Sequence, residues 1–136
     1  MAANNAILRL KIEEPLPFTV ADGTGIEKGE VCQLTDPRTA SGNLTNGGKL
    51  AGICAYEKVA NDTRTESAFY LRGWFDMIAS GAVNIGDPVS AYLNDIQLPA
   101  VTASGANILG YTLEAASDNE IVLVNVQVGC GAGAIS

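Results

Sequence analysis

GEVCQL, residues 29–34, and GDPVSAYL, residues 86–93, each open with a glycine and an acid and then turn apolar. Each is followed by a polar stretch and then by an apolar run with glycine at its third position: LAGICAYE, residues 50–57, and ILGYTLEA, residues 108–115. Gly86 stands 57 positions beyond Gly29, and Gly110 stands 58 beyond Gly52. Each half closes with a long strand-like run, from Ser67 in the first and from Glu120 in the second. The order strand, loop, strand, strand is therefore written twice, in pattern more than in identity, because only the glycines coincide. Glycine ahead of the acid suits a tight turn into a strand, since it takes positive φ without steric cost.

Outward from these runs the chain keeps the period of β-structure. In AILRLKI, residues 6–12, Leu8, Leu10 and Ile12 alternate with Arg9 and Lys11, as in a half-buried strand. Pro15 and Pro17 interrupt it, and FTVADGTG, residues 18–25, ends in a turn signature. DPRTASGNLTNGG, residues 36–48, reads as an exposed loop without a packing face. SAFYLRGWFDMIA, residues 67–79, places Phe69, Leu71, Phe75 and Met77 on one face and Tyr70, Arg72, Trp74 and Asp76 on the other. This pattern predicts one long strand, bent or bulged at Gly73. EIVLVNVQV, residues 120–128, aligns Val122, Val124, Val126 and Val128 and is the clearest strand signal.

No segment holds a helical period beyond two turns. The expected fold is mainly β, a compact β-barrel or sandwich of short strands with pseudo-repeated halves and an extended N-terminal arm. Strands are expected over 6–12, 30–34, 50–56, 67–78, 88–93, 108–113 and 120–128. The organisation expected is an arm over 1–17, a single β domain over 18–128 and a flexible tail over 129–136. The prolines set the arm apart, and an exposed row of Leu8, Leu10 and Ile12 is an aggregation hazard, so its expected partner is another molecule, with an ordinary edge strand folded back on its own domain as the competing reading.

At 136 residues, 47% hydrophobic and 17% charged, the chain suits one ordinary domain and is too apolar for disorder. Its formal charge of −7 repels phosphate backbones, so nucleic acid is not an expected partner. No apolar run approaches a bilayer span, and MAANN lacks the features of a signal peptide, so no membrane is expected and synthesis in a cytoplasm is. Three cysteines without CxxC spacing fit a reducing compartment, with Cys32 and Cys54 as small buried hydrophobes. The absence of histidine removes the Ser-His-Asp and Cys-His arrangements and the usual zinc ligand sets. A pair of carboxylates drawn from Asp22, Glu27, Glu30, Asp36, Asp76 and Asp87 is the remaining route to catalysis, but these acids stand beside turn residues. No phosphate loop or calcium loop occurs, and no cofactor, metal or catalytic residue is expected. Tyr70, Arg72 and Trp74 form a candidate recognition patch, with a core tryptophan as the alternative.

GTGIEKGEVCQL, KLAGICAYE, SGAVNIGDPVSAYL and NILGYTLEAASDNEIVLVNVQV together resemble the capsid decoration, or cement, proteins of tailed phages. The resemblance runs from about Val20 to Val128 and is densest from Ala82 onward. It implies a virion protein on the capsid outer surface that binds the major capsid protein as a homotrimer and stabilises joints between capsid subunits. It brings no catalytic residues. The arm at 6–12 and the loop at 36–48 depart from the simplest members, and either is a candidate capsid contact. The candidate partner-binding residues are Leu8, Leu10, Ile12, Tyr70, Arg72 and Trp74. The alternative from another class is a carbohydrate-binding or receptor-binding adhesion module, with Trp74 and Tyr70 in one groove.

Overall fold

The computed structural model describes residues 5–42, 48–98 and 107–129. Its eleven strands are β1 (Ile7–Lys11), β2 (Leu16–Thr19), β3 (Val31–Asp36), β4 (Thr39–Ser41), β5 (Leu50–Cys54), β6 (Glu66–Tyr70), β7 (Arg72–Ile78), β8 (Pro88–Tyr92), β9 (Asp95–Gln97), β10 (Gly110–Thr112) and β11 (Ile121–Gln127). Strands β2-β4-β3-β5-β6 form a closed barrel, and β1-β7-β11-β10-β8-β9 form a six-stranded sheet. This sheet curls back on itself: a single parallel bridge, Ala79 to Ile96, returns β9 to the end of β7.

The doubled sequence pattern is thus a doubled barrel. The parallel contact Thr19–Thr39 between β2 and β4 has its counterpart in Ala79–Ile96. The isolated antiparallel bridge Ile26–Lys58 has its counterpart in Val83–Ala116. Gly29, at φ 88°, and Gly86, at φ 79°, occupy the same turn. Their N–H groups donate to Cys54 O at 2.8 Å and Thr112 O at 2.9 Å. The acid that follows each glycine folds back on the turn, Glu30 accepting from Glu27 N–H at 3.0 Å and Asp87 from Asn84 N–H at 2.8 Å. The glycine supplies a conformation that a Cβ disfavours, and the carboxylate satisfies a backbone donor that the turn strands.

β5 is buried at every position because it serves two cores. Ala51 and Cys54 join Val20, Ile26, Cys32 and Phe69 inside the first barrel, where Phe18 meets Phe69 edge-on at 5.5 Å. Leu50 and Ile53 instead join Phe75, Met77, Val89, Ile96 and the β11 valines in the core of the second. Strict alternation cannot put residues three apart on one side. The register between β3 and β5 steps at Ala51, pairing Cys32 with Gly52 and Gln33 with Leu50, and that bulge aligns Leu50 with Ile53. Val31 N–H donates to Asn94 Oδ1 at 2.8 Å, fastening the start of β3 to the β8–β9 turn. Asn5 completes the joint, donating to Glu27 Oε1 at 3.1 Å and accepting from Asn94 Nδ2 at 3.2 Å.

Several expectations are corrected. The run at 67–78 is two strands broken at Leu71, where the chain passes from the first barrel to the second, and Gly73 lies inside β7 opposite Lys11 and Val126. The supposed loop at 36–48 contains β4, whose buried Ala40 gives it a packing face; residues 43–47 lie outside the described residues. Pro17 does not end β-structure: it sits in β2, whose pairing with β4 reaches only Thr19, so a missing N–H is tolerated. The arm follows the competing edge-strand reading in its pairing: β1 runs antiparallel to β7 of its own chain and covers that edge. Most of the tail expected over 129–136, including Cys130, lies outside the described residues. Cys32 and Cys54 are buried as expected.

A Cβ on Gly110 would fall on the carbonyl oxygen of Asn125 in β11, and one on Gly52 would stand 2.6 Å from Tyr70 O. Both obstacles are backbone in a paired strand, so neither can swing aside. Gly110→Ala and Gly52→Ala should each destabilise by about 1–3 kcal/mol, read as a lower midpoint in chemical denaturation. Unchanged midpoints would show that these glycines are not close-approach positions.

Candidate functional site

The candidate site begins with the way β1 meets β7. Leu8 pairs with Phe75 and Leu10 with Trp74, so the register steps at Arg9. This irregularity breaks the alternation of the arm. Leu8 packs against the core, whereas Leu10 is exposed beside Trp74. Arg9 donates from Nη1 to Asp76 Oδ2 at 2.6 Å and ties the strand to β7.

On β7, Arg72, Trp74 and Asp76 alternate with buried Gly73, Phe75 and Met77. β11 pairs alongside, placing Leu123 opposite Asp76 and Asn125 opposite Trp74, and β10 places Tyr111 opposite Asn125. The result is a groove of about 500 Å³ lined by Arg9, Leu10, Trp74, Asp76, Glu114 and Leu123. Trp74 is 37% exposed, so its ring belongs to this surface and not to the core.

Of the residues singled out from sequence, the structure brings Leu10 and Trp74 together and leaves Arg72 exposed along the same strand. Tyr70 is elsewhere: the break at Leu71 puts it in β6, paired with Ile53, with its ring edge-on to Phe75 at 5.6 Å. Ile12 is exposed just beyond β1. The sequence reading passed over Leu123 and Glu114. The signal for Leu123 was present in EIVLVNVQV, whose face opposite the valines carries Ile121 and Leu123.

Five of the six acids considered for a catalytic pair, all but the exposed Asp36, are engaged in holding turns and strands. Glu27, Glu30 and Asp87 serve the joint and turns described above, and Asp76 pairs with Arg9. Burial pushes the Glu30 carboxyl up from its ordinary value, with the Glu27 N–H pulling the other way. Asp22 faces the buried Lys58, whose Nζ lies 3.2 Å from Asp22 Oδ1 and 2.7 Å from Asp62 Oδ1 and also donates to the carbonyls of Asp22 and Val59. Burial alone would lower the Lys58 pKa, but the hydrogen bonds and charges of Asp62 and Asp22 outweigh it and hold the ammonium above its ordinary 10.5. Asp62 is held well below the usual carboxylate range, first by its hydrogen bond from Lys58. Burial raises both thiols, Cys54 to about 11. Among the described residues, no group of three or more His, Cys, Asp or Glu is placed to hold a metal ion, and no helix is long and apolar enough to cross a membrane.

Two joined small barrels, with a groove of mixed apolar and charged lining and carboxylates committed largely to turns and strands, define a β-structured binding module. The sequence matches the phage cement protein family over residues 11–128, and the chain belongs to that family. It is therefore a phage structural protein with a capsid-decorating role. Its fold is similar to that of a solved structure described as the head fiber gp8.5 N base of bacteriophage phi29, at 15% identity and a TM-score of 0.53, covering 82% of this chain and 93% of that one. Comparison with curated protein sequences gives no match.

The Lys58 cluster has a defined pH signature. Asp62 contributes stability above its unfolded value of 3.8 and loses that contribution as pH falls through its lower folded value. Lys58 contributes below 10.5 and loses that contribution as pH rises through its higher folded value. Lys58→Met should lower the thermal midpoint at neutral pH, and its deficit against wild type should shrink as pH is taken below 3.8. A deficit independent of pH would assign the loss to packing instead.

Proposed function

We propose that this cement protein binds the outer surface of an assembled head as a homotrimer, contacts the major capsid protein and reinforces the joints between capsid subunits. The observation that carries this reading is the family match over nearly the whole two-barrel body. The fold likeness to the base of a head fiber is in keeping with attachment to a head. The exposed side chains add to it. Leu10, Trp74 and Tyr111 lie in one row across the sheet, with Asn125 of β11 between Trp74 and Tyr111 and with Ile7 and Ile121 exposed on the same sheet, and such a surface is suited to contact with another protein. Repetition around a threefold axis would add avidity to a modest contact area.

The protein acts by surface area and not by catalysis, and it is made in the host cytoplasm before joining the virion. A carbohydrate groove built on Tyr70 and Trp74 is disfavoured, since Tyr70 packs on Phe75.

Light scattering coupled to size-exclusion chromatography should return the mass of three chains, and the protein should co-sediment with purified empty heads. A monomer that stays in the supernatant would refute the proposal. A monomer that co-sediments would refute only the trimer.

A further inference from the structure

We propose that the groove between β1, β7 and β11 receives a lysine or arginine side chain from the capsid shell, an inference that rests on the cement role above. The charge of this protein is segregated. All eight lysines and arginines lie at or before Arg72, whereas the chain from Gly73 onward holds Asp76, Asp87, Asp95, Glu114, Asp118 and Glu120 with no cation. The second barrel therefore draws its only cations from Arg72 at the start of β7 and from Arg9 and Lys11 lent by β1, and is acidic elsewhere among the described residues.

Within the groove the carboxylates are not equivalent. Asp76 is neutralised by Arg9 at 2.6 Å. Glu114 is exposed, no ion pair reaches it among the described residues, and one of its oxygens accepts from Leu123 N–H at 3.1 Å. Among the described residues no cation of this chain meets its charge. The walls beside it are apolar: Leu10, Leu123 and the open ring of Trp74.

This combination fits a side chain with a long apolar stem and a cationic head. The stem would lie along the two leucines, and the head would meet Glu114 and the face of the indole. An anion would be repelled by the field of the whole barrel, and an uncharged apolar group would bury Glu114 without compensation. A shell surface bearing basic residues meets all these demands.

The test is binding of the full chain to purified empty heads across a series of salt concentrations, comparing wild type, Trp74→Ala, Trp74→Phe, Glu114→Gln and Asp36→Asn. Asp36, exposed at the end of β3 in the first barrel, is the control. Wild-type binding should weaken as salt rises. Trp74→Ala and Glu114→Gln should each lower affinity about tenfold or more, as for central interface residues. Glu114→Gln should also flatten the salt dependence while retaining the acceptor for Leu123 N–H. Trp74→Phe should keep most of the affinity, Asp36→Asn should bind as wild type, and circular dichroism should match for all five. Folded Trp74→Ala and Glu114→Gln proteins that bind as wild type would overturn the groove proposal and leave the cement role standing. A wild-type protein that binds no shells at any salt would overturn both.

Discussion

The structure depends on one strand having to satisfy two cores. β5 gives Ala51 and Cys54 to the first barrel and Leu50 and Ile53 to the second, and the bulge at Ala51 reconciles those demands. Close-packed interiors tolerate little displacement, so the bulge fixes how the barrels sit against each other. The chain crosses between them at Leu71 with no linker, and Asn5 bridges the turns on either side of the joint. The barrels are separate as hydrogen-bonded sheets but are joined by these side-chain bonds and continuous in packing.

The two halves share a scaffold and differ in what fastens it. Where the first barrel buries Lys58 between Asp22 and Asp62, the second has Ala116 at the corresponding bridge. The first therefore closes its end with charge and the second with apolar contact. The second also gains a sixth strand, β1, and with it the groove. The repeat supplies the frame, and the departures from it supply the surface through which contact with other molecules is made.

Much of the fold was legible in the sequence because long strands carry period two. The β11 valines and the alternation of Gly73, Phe75 and Met77 with Arg72, Trp74 and Asp76 read correctly. The turn signature of glycine and acid gave the repeat. β4 and β9 were missed for a physical reason: each is three residues long and buries one side chain, Ala40 or Ile96, so no period exists to be seen. β2 was hidden by its own prolines. The irregularities at Arg9 and Ala51 are invisible to a reading by alternation, which is why Leu8 and Leu10 were assigned one common side. Half of the groove was legible in Leu10 and Trp74, but Glu114 and Leu123 join it only through strand pairing. The charge of the whole chain, read as one number, concealed its segregation.

The bond from Val31 N–H to Asn94 joins unlike surfaces: the entry to β3 of one barrel and the β8–β9 turn of the next. Such head-to-tail stacking has no internal stopping point, since each added unit would offer a fresh entry strand to its successor, and open contacts of this type generate filaments. Here the second unit departs from the first at that position. The residue 57 positions beyond Val31 is Pro88, at the entry to β8, and it has no N–H to donate. The same imino acid that opens β8 thus withholds from any further unit the donor by which β3 is fastened to Asn94.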